Sequence, residues 1–548
     1  MVKKAKTVLT LKSSEALDYF MSTRQFHAFE LPEYFDFTQV LDFVRKSVGN
    51  KPYGECVVGS ASEMKDVNFD IMLNKDGHYG VRPLTLSNPY LYYFIAREIC
   101  QPENWTAIKV CFKHYNVPTI ISCAIPVIPD EVESFHESTT VFNWWNEVEQ
   151  KSIELSMDYR YMFVTDITNC YGTINPETID WALSMKDTPY TTDKNHDMAR
   201  NLINYLRDIQ QGRNMGIPQG SNLYNMIAEI ILGYSDLLLF QQLENIDVDY
   251  KVIRYRDDYR IFCNDSDALE QISYTLQRVL ESLNFRMNSS KTKISDSIIT
   301  DSIRHDKLWY IENTPIFSKK GVDFDSVEKH LLYILLFGRK FPNGGQIRTL
   351  LSDLDGRIEK HLKSRKEKWG DVELNLDFCV DPKPGFEKEF MEQKKKHAQR
   401  NYIPGGSVEA MCAIAAQIAL ENVDACHYAL KVASRLIDSL EDEKVKQRIR
   451  NKLYDRMIGR PNSTYTELWL QNMTYQADKR ARKCPYGARL CKVVMGNKHD
   501  LWNNSWLKTG LTKGFDQSSI VNQETLAKVT PIITFRERRQ YDGQIIEV

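Results

Sequence analysis

The apolar residues of this chain recur mostly at helical spacing, and a few short β-prone runs interrupt that pattern. Between positions 222 and 243 they lie three or four residues apart, which predicts a long helix. After about residue 320 the helical periods dominate, over residues 325–365 and 408–457. Runs of β-branched and aromatic residues predict strands at 118–125, 161–164 and 249–263. We therefore expect a first half that mixes strands and helices and a second half that is helical.

One of the β-prone runs contains the tetrapeptide Tyr255-Arg256-Asp257-Asp258. Apolar and aromatic residues lead up to the two aspartates, and a second β-prone run follows at once, which predicts a hairpin with the acidic pair at its tip. Two adjacent carboxylates at such a tip can bind divalent cations. A plain β-turn in which the aspartates form local hydrogen bonds is the alternative interpretation.

Composition limits the other possibilities. The formal net charge is −2, so any contact with nucleic acid must depend on local basic patches. The eleven cysteines are scattered without a Cys-x-x-Cys pair, which predicts reduced thiols in a cytoplasmic protein, and the N-terminus lacks a signal-peptide core. The longest apolar stretch, 226–240, contains Glu229 and Asp236, and we interpret it as too short and too polar to span a membrane.

A second acidic position precedes the hairpin. The apolar run at 161–164 ends at Asp166, whose carboxylate a strand could direct towards the same cations as Asp257 and Asp258. Phosphoryl transfer by two metal ions needs them about 4 Å apart, held by shared carboxylates. The three aspartates are therefore candidate metal ligands, and a turn or helix cap is the alternative role for Asp166.

Two further sequence blocks contain candidate substrate contacts, one between Asp166 and the hairpin and one after the hairpin. The first is Gly216-Ile-Pro-Gln-Gly-Ser221, where the glycines would let the backbone approach a base or sugar closely and Gln219 could contact template or nucleotide. The second, at 283–293, contains Lys291, which could approach a triphosphate and protonate the departing pyrophosphate. A helix-start loop and a solvated surface lysine are the respective alternatives.

These four blocks, in this order, resemble the palm of the reverse transcriptase family over about residues 25–320. The resemblance implies an α+β fold with right-hand polymerase fingers and palm, an antiparallel sheet with packed helices, and then an α-helical, HEAT-like region. It implies fingers within 1–120, palm within 121–320, a thumb-like helical domain at 321–460, and an extension at 461–548 whose role is unassigned.

The resemblance also assigns residues. It implies that Asp166, Asp257 and Asp258, together with the Ile167 carbonyl, bind two Mg²⁺ ions, for which Mn²⁺ can substitute. It also implies that Lys291 is the catalytic lysine. The remaining positions are implied to bind substrate: Lys75, Arg82, Tyr171, Gln219, Gly220 and Tyr255.

Tyr171 bears on the choice of nucleotide. It lies five residues after Asp166, where the family places an aromatic steric gate that would clash with a ribose 2′-hydroxyl. RNA-templated RNA polymerases usually have an aspartate at this offset. The resemblance therefore implies dNTPs as substrates, and a core tyrosine under the sheet is the alternative.

Short phrases at 29–37 and 341–345, together with the helical second half, look like the bacterial abortive-infection and defence-associated reverse transcriptases. That resemblance implies antiphage DNA synthesis, on a noncoding RNA template or without a template or conventional primer, by a homo-oligomer. A retron-type or mobile-element enzyme and a non-catalytic scaffold that binds RNA or protein are the alternatives. A basic patch, 479–492, could follow a phosphate backbone or be a solvated helix face.

Overall fold

A computed structural model describes residues 6–74, 80–128, 145–313, 327–369, 408–535, 539–541 and 544–546. The strands are β1 (Phe69–Asn74), β2 (Val81–Leu86), β3 (Ile120–Ser122), β4 (Tyr161–Asp166), β5 (Tyr250–Tyr255), β6 (Asp258–Cys263), β7 (Lys293–Ser295), β8 (Arg539–Tyr541) and β9 (Gln544–Ile546). Strands β1 and β2 form one hairpin, and β8 and β9 form another.

The main sheet has five strands in the order β3-β5-β6-β4-β7. All neighbouring strands run antiparallel except β3 and β5, which are parallel. Alternate residues face opposite sides: Phe163 on β4 and Ile261 on β6 join the large core, whereas Met162 and Phe262 join a small separate cluster. The sheet is therefore buried on both faces, and the predicted antiparallel palm sheet is confirmed.

Helices account for most of the rest of the described chain. Those before the sheet's last strand are Ser13–Phe20, Thr23–Phe26, Thr38–Val48, Tyr53–Cys56, Pro89–Ile99, Pro102–Tyr115, Lys151–Leu155, Cys170–Thr173, Thr178–Ser184, His196–Ile209, Asn222–Gln242 and Ser266–Ser282, with a π-helical turn at Trp145–Gln150. Short 3₁₀ turns lie at Val8–Thr10, Ala61–Glu63, Val423–Ala425 and Gln517–Ile520.

The longest of these early helices, Asn222–Gln242, lies at the centre of the core. The Ser221 hydroxyl caps its N-terminus by accepting a hydrogen bond from the Tyr224 N–H, at 3.4 Å. The helix begins four residues before the apolar stretch 226–240. By length and composition alone it could cross a membrane, so the interpretation that this stretch is too short and too polar was wrong. However, 89% of its apolar window is buried inside the protein. Its apolar character is therefore that of a core helix.

The second half is helical, as predicted. Its helices are Ile298–Ser302, His305–Asn313, Val327–Lys340, Gly345–Trp369, Val408–Glu421, Cys426–Asp438, Glu443–Met457, Thr464–Ala481, Arg489–Val494, Thr509–Thr512 and Gln523–Ala527. Residues 408–457 form three helices where two were expected, and Asp424 does not cap the second: no side chain caps that helix. The domain boundaries near 120, 320 and 460 stay predictions.

Residues 501–522, which we call the tail segment, fold back onto the N-terminal part of the chain. The Trp502 indole N–H donates to the Leu86 carbonyl at 2.9 Å, and the Asn522 N–H donates to the Tyr34 carbonyl at 2.8 Å. Sequence periodicity did not assign this segment, because its turns and single-turn helices leave no long period.

Candidate active site

The three predicted acidic residues come together at the end of the sheet. Asp166 ends β4 and Asp258 begins β6, and the two are directly opposite each other in the antiparallel register. Cα atoms so paired lie about 4.5–5.5 Å apart. Asp257 lies in the two-residue loop between β5 and β6, and its carbonyl accepts a hydrogen bond from the Ile167 N–H at 3.0 Å. One backbone framework therefore positions all three carboxylates.

The electrostatics of this cluster are those of crowded negative charge. Nearby protein atoms partly desolvate the Asp258 carboxyl group and raise its pKa to about 7, and the carboxylates of Asp257 and Asp166 add to the effect. Other parts of the residue are exposed to solvent. Burial and Asp166 likewise raise the pKa of Asp257. The Asp166 Oδ1 atom is buried and has no hydrogen-bond partner among the described residues. Arg256 and Lys291 lower the pKa of Asp257, but it stays above its usual value.

The donor set fits hard divalent cations. Oxygen ligands from carboxylates are what Mg²⁺ prefers, and the unpartnered Asp166 Oδ1 is an available ligand atom. Within the described residues, however, no group of three His, Cys, Asp or Glu side chains already surrounds a cation-sized point. The Ile167 N–H positions Asp257, and the role of the Ile167 carbonyl stays a prediction.

Lys291 neutralises part of the cluster. Its Nζ atom lies 2.8 Å from Asp166 Oδ2, and this ion pair raises the pKa of the lysine. The loop that carries it is tied to β4 by the Asn288 N–H, which donates to the Asp166 carbonyl at 2.9 Å. The lysine side chain is 63% exposed, so it can leave the carboxylate at little cost. The structure thus places Lys291 beside Asp166, and its role as a proton donor stays a prediction.

Tyr171 is held in place by its hydroxyl group. The residue lies on the short helix Cys170–Thr173, and its hydroxyl donates to Asn225 Oδ1 at 2.6 Å. The Asn225 amide in turn donates to Asn222 Oδ1 at 2.7 Å, and the Asn222 amide donates to Gln25 Oε1 at 2.5 Å. The Tyr171 ring is partly buried next to the acidic cluster, and Asp257 is one of its electrostatic neighbours.

The glycine-rich loop is hydrogen bonded to β2 and to the residue that follows the short helix Cys170–Thr173. The Gly216 N–H donates to the Ile174 carbonyl at 2.6 Å, and the Thr85 N–H in β2 donates to the Gln219 carbonyl at 2.7 Å. Gly220 has φ of +129°, and a Cβ atom there would lie 3.2 Å from the Phe29 ring. Only glycine fits this close approach.

The other predicted substrate-binding residues are less directly placed. Arg82 lies on β2, paired with Leu73 of β1, and contacts none of the aspartates among the described residues. Tyr255 ends β5 directly opposite Asp258. Lys75 lies outside the described residues. The substrate-binding roles of these residues stay predictions.

A buried ion cluster beneath the hairpin escaped the sequence analysis. The Arg254 guanidinium, fully buried, donates to Asp236 at 2.9 and 3.0 Å and to Glu229 at 3.1 Å. It also donates to the Ser122 hydroxyl at 2.8 Å and to the Arg256 carbonyl at 3.3 Å. Glu229 and Asp236 are two helical turns apart within an apolar helix, and that spacing was the available signal for a buried cation opposite.

A cavity of about 940 Å³ lies elsewhere, between the segment around Tyr53 and the helix His196–Ile209. None of the predicted site residues lines it. This cavity is therefore separate from the predicted site.

Comparison with known proteins agrees with this geometry. Residues 109–321 match the family model described as reverse transcriptase (RNA-dependent DNA polymerase). The match spans the main sheet, the aspartates, Tyr171, the glycine-rich loop and Lys291. No curated protein sequence matches the chain.

Two solved telomerase structures are among the similar folds. Apo telomerase from Candida Tropicalis is 13% identical, with a TM-score of 0.30, over 77% of this chain and 74% of that one. Telomerase from Candida albicans in complex with the TWJ fragment of telomeric RNA is 11% identical, with a TM-score of 0.28, over 74% and 67%. The assignment rests on the family model: residues 109–321 form a reverse transcriptase domain, and the protein is an RNA-directed DNA polymerase, a nucleotidyltransferase.

Proposed function

We propose that this reverse transcriptase domain joins deoxynucleotides by a two-metal mechanism, with Asp166, Asp257 and Asp258 holding two Mg²⁺ ions, and that the protein acts in bacterial antiphage defence. The observation that carries the mechanism is the register of Asp166 against Asp258, with Asp257 fixed by the Ile167 N–H. The defence role rests on the resemblance of the short phrases and of the helical second half to defence-associated enzymes.

When bound, the two ions would activate the attacking 3′-hydroxyl and stabilise the leaving pyrophosphate. The residues of the chain supply position and charge. Asp166 and Asp258 face each other across two paired strands, so they present their oxygens from a rigid support. Lys291 neutralises Asp166 before the ions bind. Once the ions displace it from Asp166, the lysine could donate a proton to the leaving pyrophosphate.

The substrate is a dNTP in this proposal, because Tyr171 would exclude a ribose 2′-hydroxyl. A ring excludes an atom only where it cannot move aside, and the hydrogen bond from its hydroxyl to Asn225 restrains this one. The template is an RNA, and we propose a homo-oligomer in the cytoplasm as the working form.

The test compares the purified protein with the variant Asp257→Ala/Asp258→Ala. Each is incubated with Mg²⁺, or with Mn²⁺, and dNTPs, with and without RNA that is co-expressed with it. We expect DNA synthesis by the wild type and at least a 1,000-fold loss, roughly the effect of removing a main electrostatic element of an active site, in the variant. Asp247→Ala, which removes an exposed carboxylate away from the sheet end, is the matched control and should retain full activity.

The same variants test the biological role. Cells that carry the wild-type gene should survive phage challenge, and the Asp257→Ala/Asp258→Ala variant should lose that protection. Protection that persists without both aspartates would favour a non-catalytic scaffold. A long, defined cDNA copied from one structured RNA would favour a retron-type or mobile-element enzyme.

A further inference from the structure

The tip of the catalytic hairpin holds an arginine that the site described so far does not use. Arg256 and Asp257 form the two-residue loop between β5 and β6. Arg256 has φ of +55°, in the left-handed region that residues with a Cβ atom rarely adopt. The two-residue turn accounts for this conformation, because the turns that fit such hairpins need a positive φ at their first loop residue.

The Arg256 side chain does not use its donors within the part of the protein that the structure describes. Its Nε atom is buried and has no hydrogen-bond partner, and the guanidinium donates no hydrogen bond to any residue that the structure describes. The guanidinium carbon lies over the neighbouring Tyr255 ring, 5.6 Å from the ring centroid. A buried donor without an acceptor costs folding free energy. A bound ligand that accepts the hydrogen bond would remove this cost.

The other two arginines of the hairpin show the contrast. Arg254 donates to Asp236, Glu229 and the Ser122 hydroxyl. Arg260 donates to the Ser152 hydroxyl at 2.9 Å and to the Ser302 carbonyl at 3.1 Å. Both have acceptors built into the fold. Arg256 lies on the same hairpin without one.

The neighbours of Arg256 indicate what kind of acceptor fits. The groups that act electrostatically on the guanidinium include Tyr171, the proposed sugar gate, and Asp257, a proposed metal ligand, together with Tyr255 and Glu229. The guanidinium forms no ion pair with Asp257, and that carboxylate would be neutralised once cations bind. An anionic group of a reactant could therefore bind the Arg256 guanidinium, which is always charged and presents several N–H donors in a fixed geometry.

We propose that Arg256 binds a phosphoryl oxygen of the reactants, either on the incoming nucleotide or on the last phosphodiester of the growing strand. A planar guanidinium suits this role because it presents paired N–H donors to phosphate oxygens. The proposal rests on the proposed polymerase function for the identity of the reactants, while the unpaired donors of Arg256 are independent of it.

The test uses Arg256→Gln and Arg256→Lys in the full chain, with Arg160→Gln as the matched control. The Arg160 guanidinium also lies over a neighbouring tyrosine ring, that of Tyr161, at 5.2 Å. Arg160 directly precedes β4, at the end of the sheet opposite to the aspartates. The dNTP KM is measured first, and then the Kd for a DNA oligonucleotide. Arg256→Gln should raise one of the two by about 10- to 100-fold, the range for losing a hydrogen bond to a charged group. Arg256→Lys should recover part of the loss.

The two measurements distinguish the sources of the phosphate. A higher dNTP KM with unchanged strand affinity assigns Arg256 to the triphosphate, and the converse assigns it to the strand. If Arg256→Gln changes neither while its thermal midpoint matches the wild type, the proposal is overturned. Binding of fluorescently labelled dATP in Ca²⁺, without turnover, gives the same comparison even if Asp257→Ala/Asp258→Ala were to show that the polymerase proposal is wrong.

Discussion

The catalytic hairpin and the tail segment are fixed to the protein by opposite means. A buried arginine and two carboxylates hold the hairpin, whose neighbourhood leaves Asp166 Oδ1 and Arg256 Nε without partners. The tail segment is held by apolar and aromatic packing and by hydrogen bonds to the backbone of the N-terminal segment. Within residues 501–522, all described, no buried side-chain nitrogen or oxygen lacks a partner.

This difference in hydrogen bonding distinguishes a structural region, the tail segment, from a region with a proposed chemical role, the hairpin tip. Native proteins satisfy nearly all of their buried polar groups, so the tail segment behaves as ordinary structure. Beneath the hairpin, Arg254 is hydrogen bonded to Asp236, Glu229 and Ser122. Near its tip, Asp166 Oδ1 and Arg256 Nε have no partner among the described residues. We infer that the Arg254 cluster is the support and that the unpaired atoms of Asp166 and Arg256 are where ligands bind.

The largest effect should come from removing the support. Arg254→Met would leave Glu229 and Asp236 buried without a cation, and breaking a buried ion pair on one side costs about 3–5 kcal/mol. We expect a loss of that size in the free energy of unfolding, measured by urea denaturation, together with loss of DNA synthesis because the hairpin loop loses its hydrogen bond from Arg254.

A triple variant separates stability from positioning. Arg254→Met with Glu229→Gln and Asp236→Asn removes all three charges and should recover much of the stability, because an uncharged buried cluster carries no unpaired ion. If polymerisation also recovers fully, the ion cluster is not needed to position the hairpin, and the proposed division between support and chemistry fails.

The tail segment should respond differently. Trp502→Phe keeps a buried ring but removes the donor to the Leu86 carbonyl, and an unsatisfied buried carbonyl costs about 1–3 kcal/mol. Urea denaturation should show a loss in that range. The rate of DNA synthesis per folded molecule should be unchanged. Trp181→Phe, whose indole N–H donates to none of the described residues, is the matched control. A change in the dNTP KM of Trp502→Phe would contradict the comparison.

The two regions also differ in how much the sequence could predict. Asp166, Asp257 and Asp258 lie beside β-prone runs, so strand prediction together with the order of the motifs indicated that they meet at one end of the sheet. The Arg254 cluster depends on which face of a strand meets which face of a helix, and that pairing is a tertiary property. The tail segment has neither a long period nor a motif, and its contacts with Leu86 and Tyr34 join residues more than 400 positions apart.

The smallest effect concerns selectivity rather than stability. Asn225→Ala removes the acceptor that restrains the Tyr171 hydroxyl, 2.6 Å away, while the tyrosine ring stays. A freed ring would exclude a ribose less strictly, so the ratio of kcat/KM for dNTPs to that for rNTPs should fall about 10-fold, the value of one hydrogen bond of about 1.4 kcal/mol. Tyr171→Phe should match it, and the double variant should add nothing. An unchanged ratio in Asn225→Ala would mean that packing alone, and not this hydrogen bond, holds the ring.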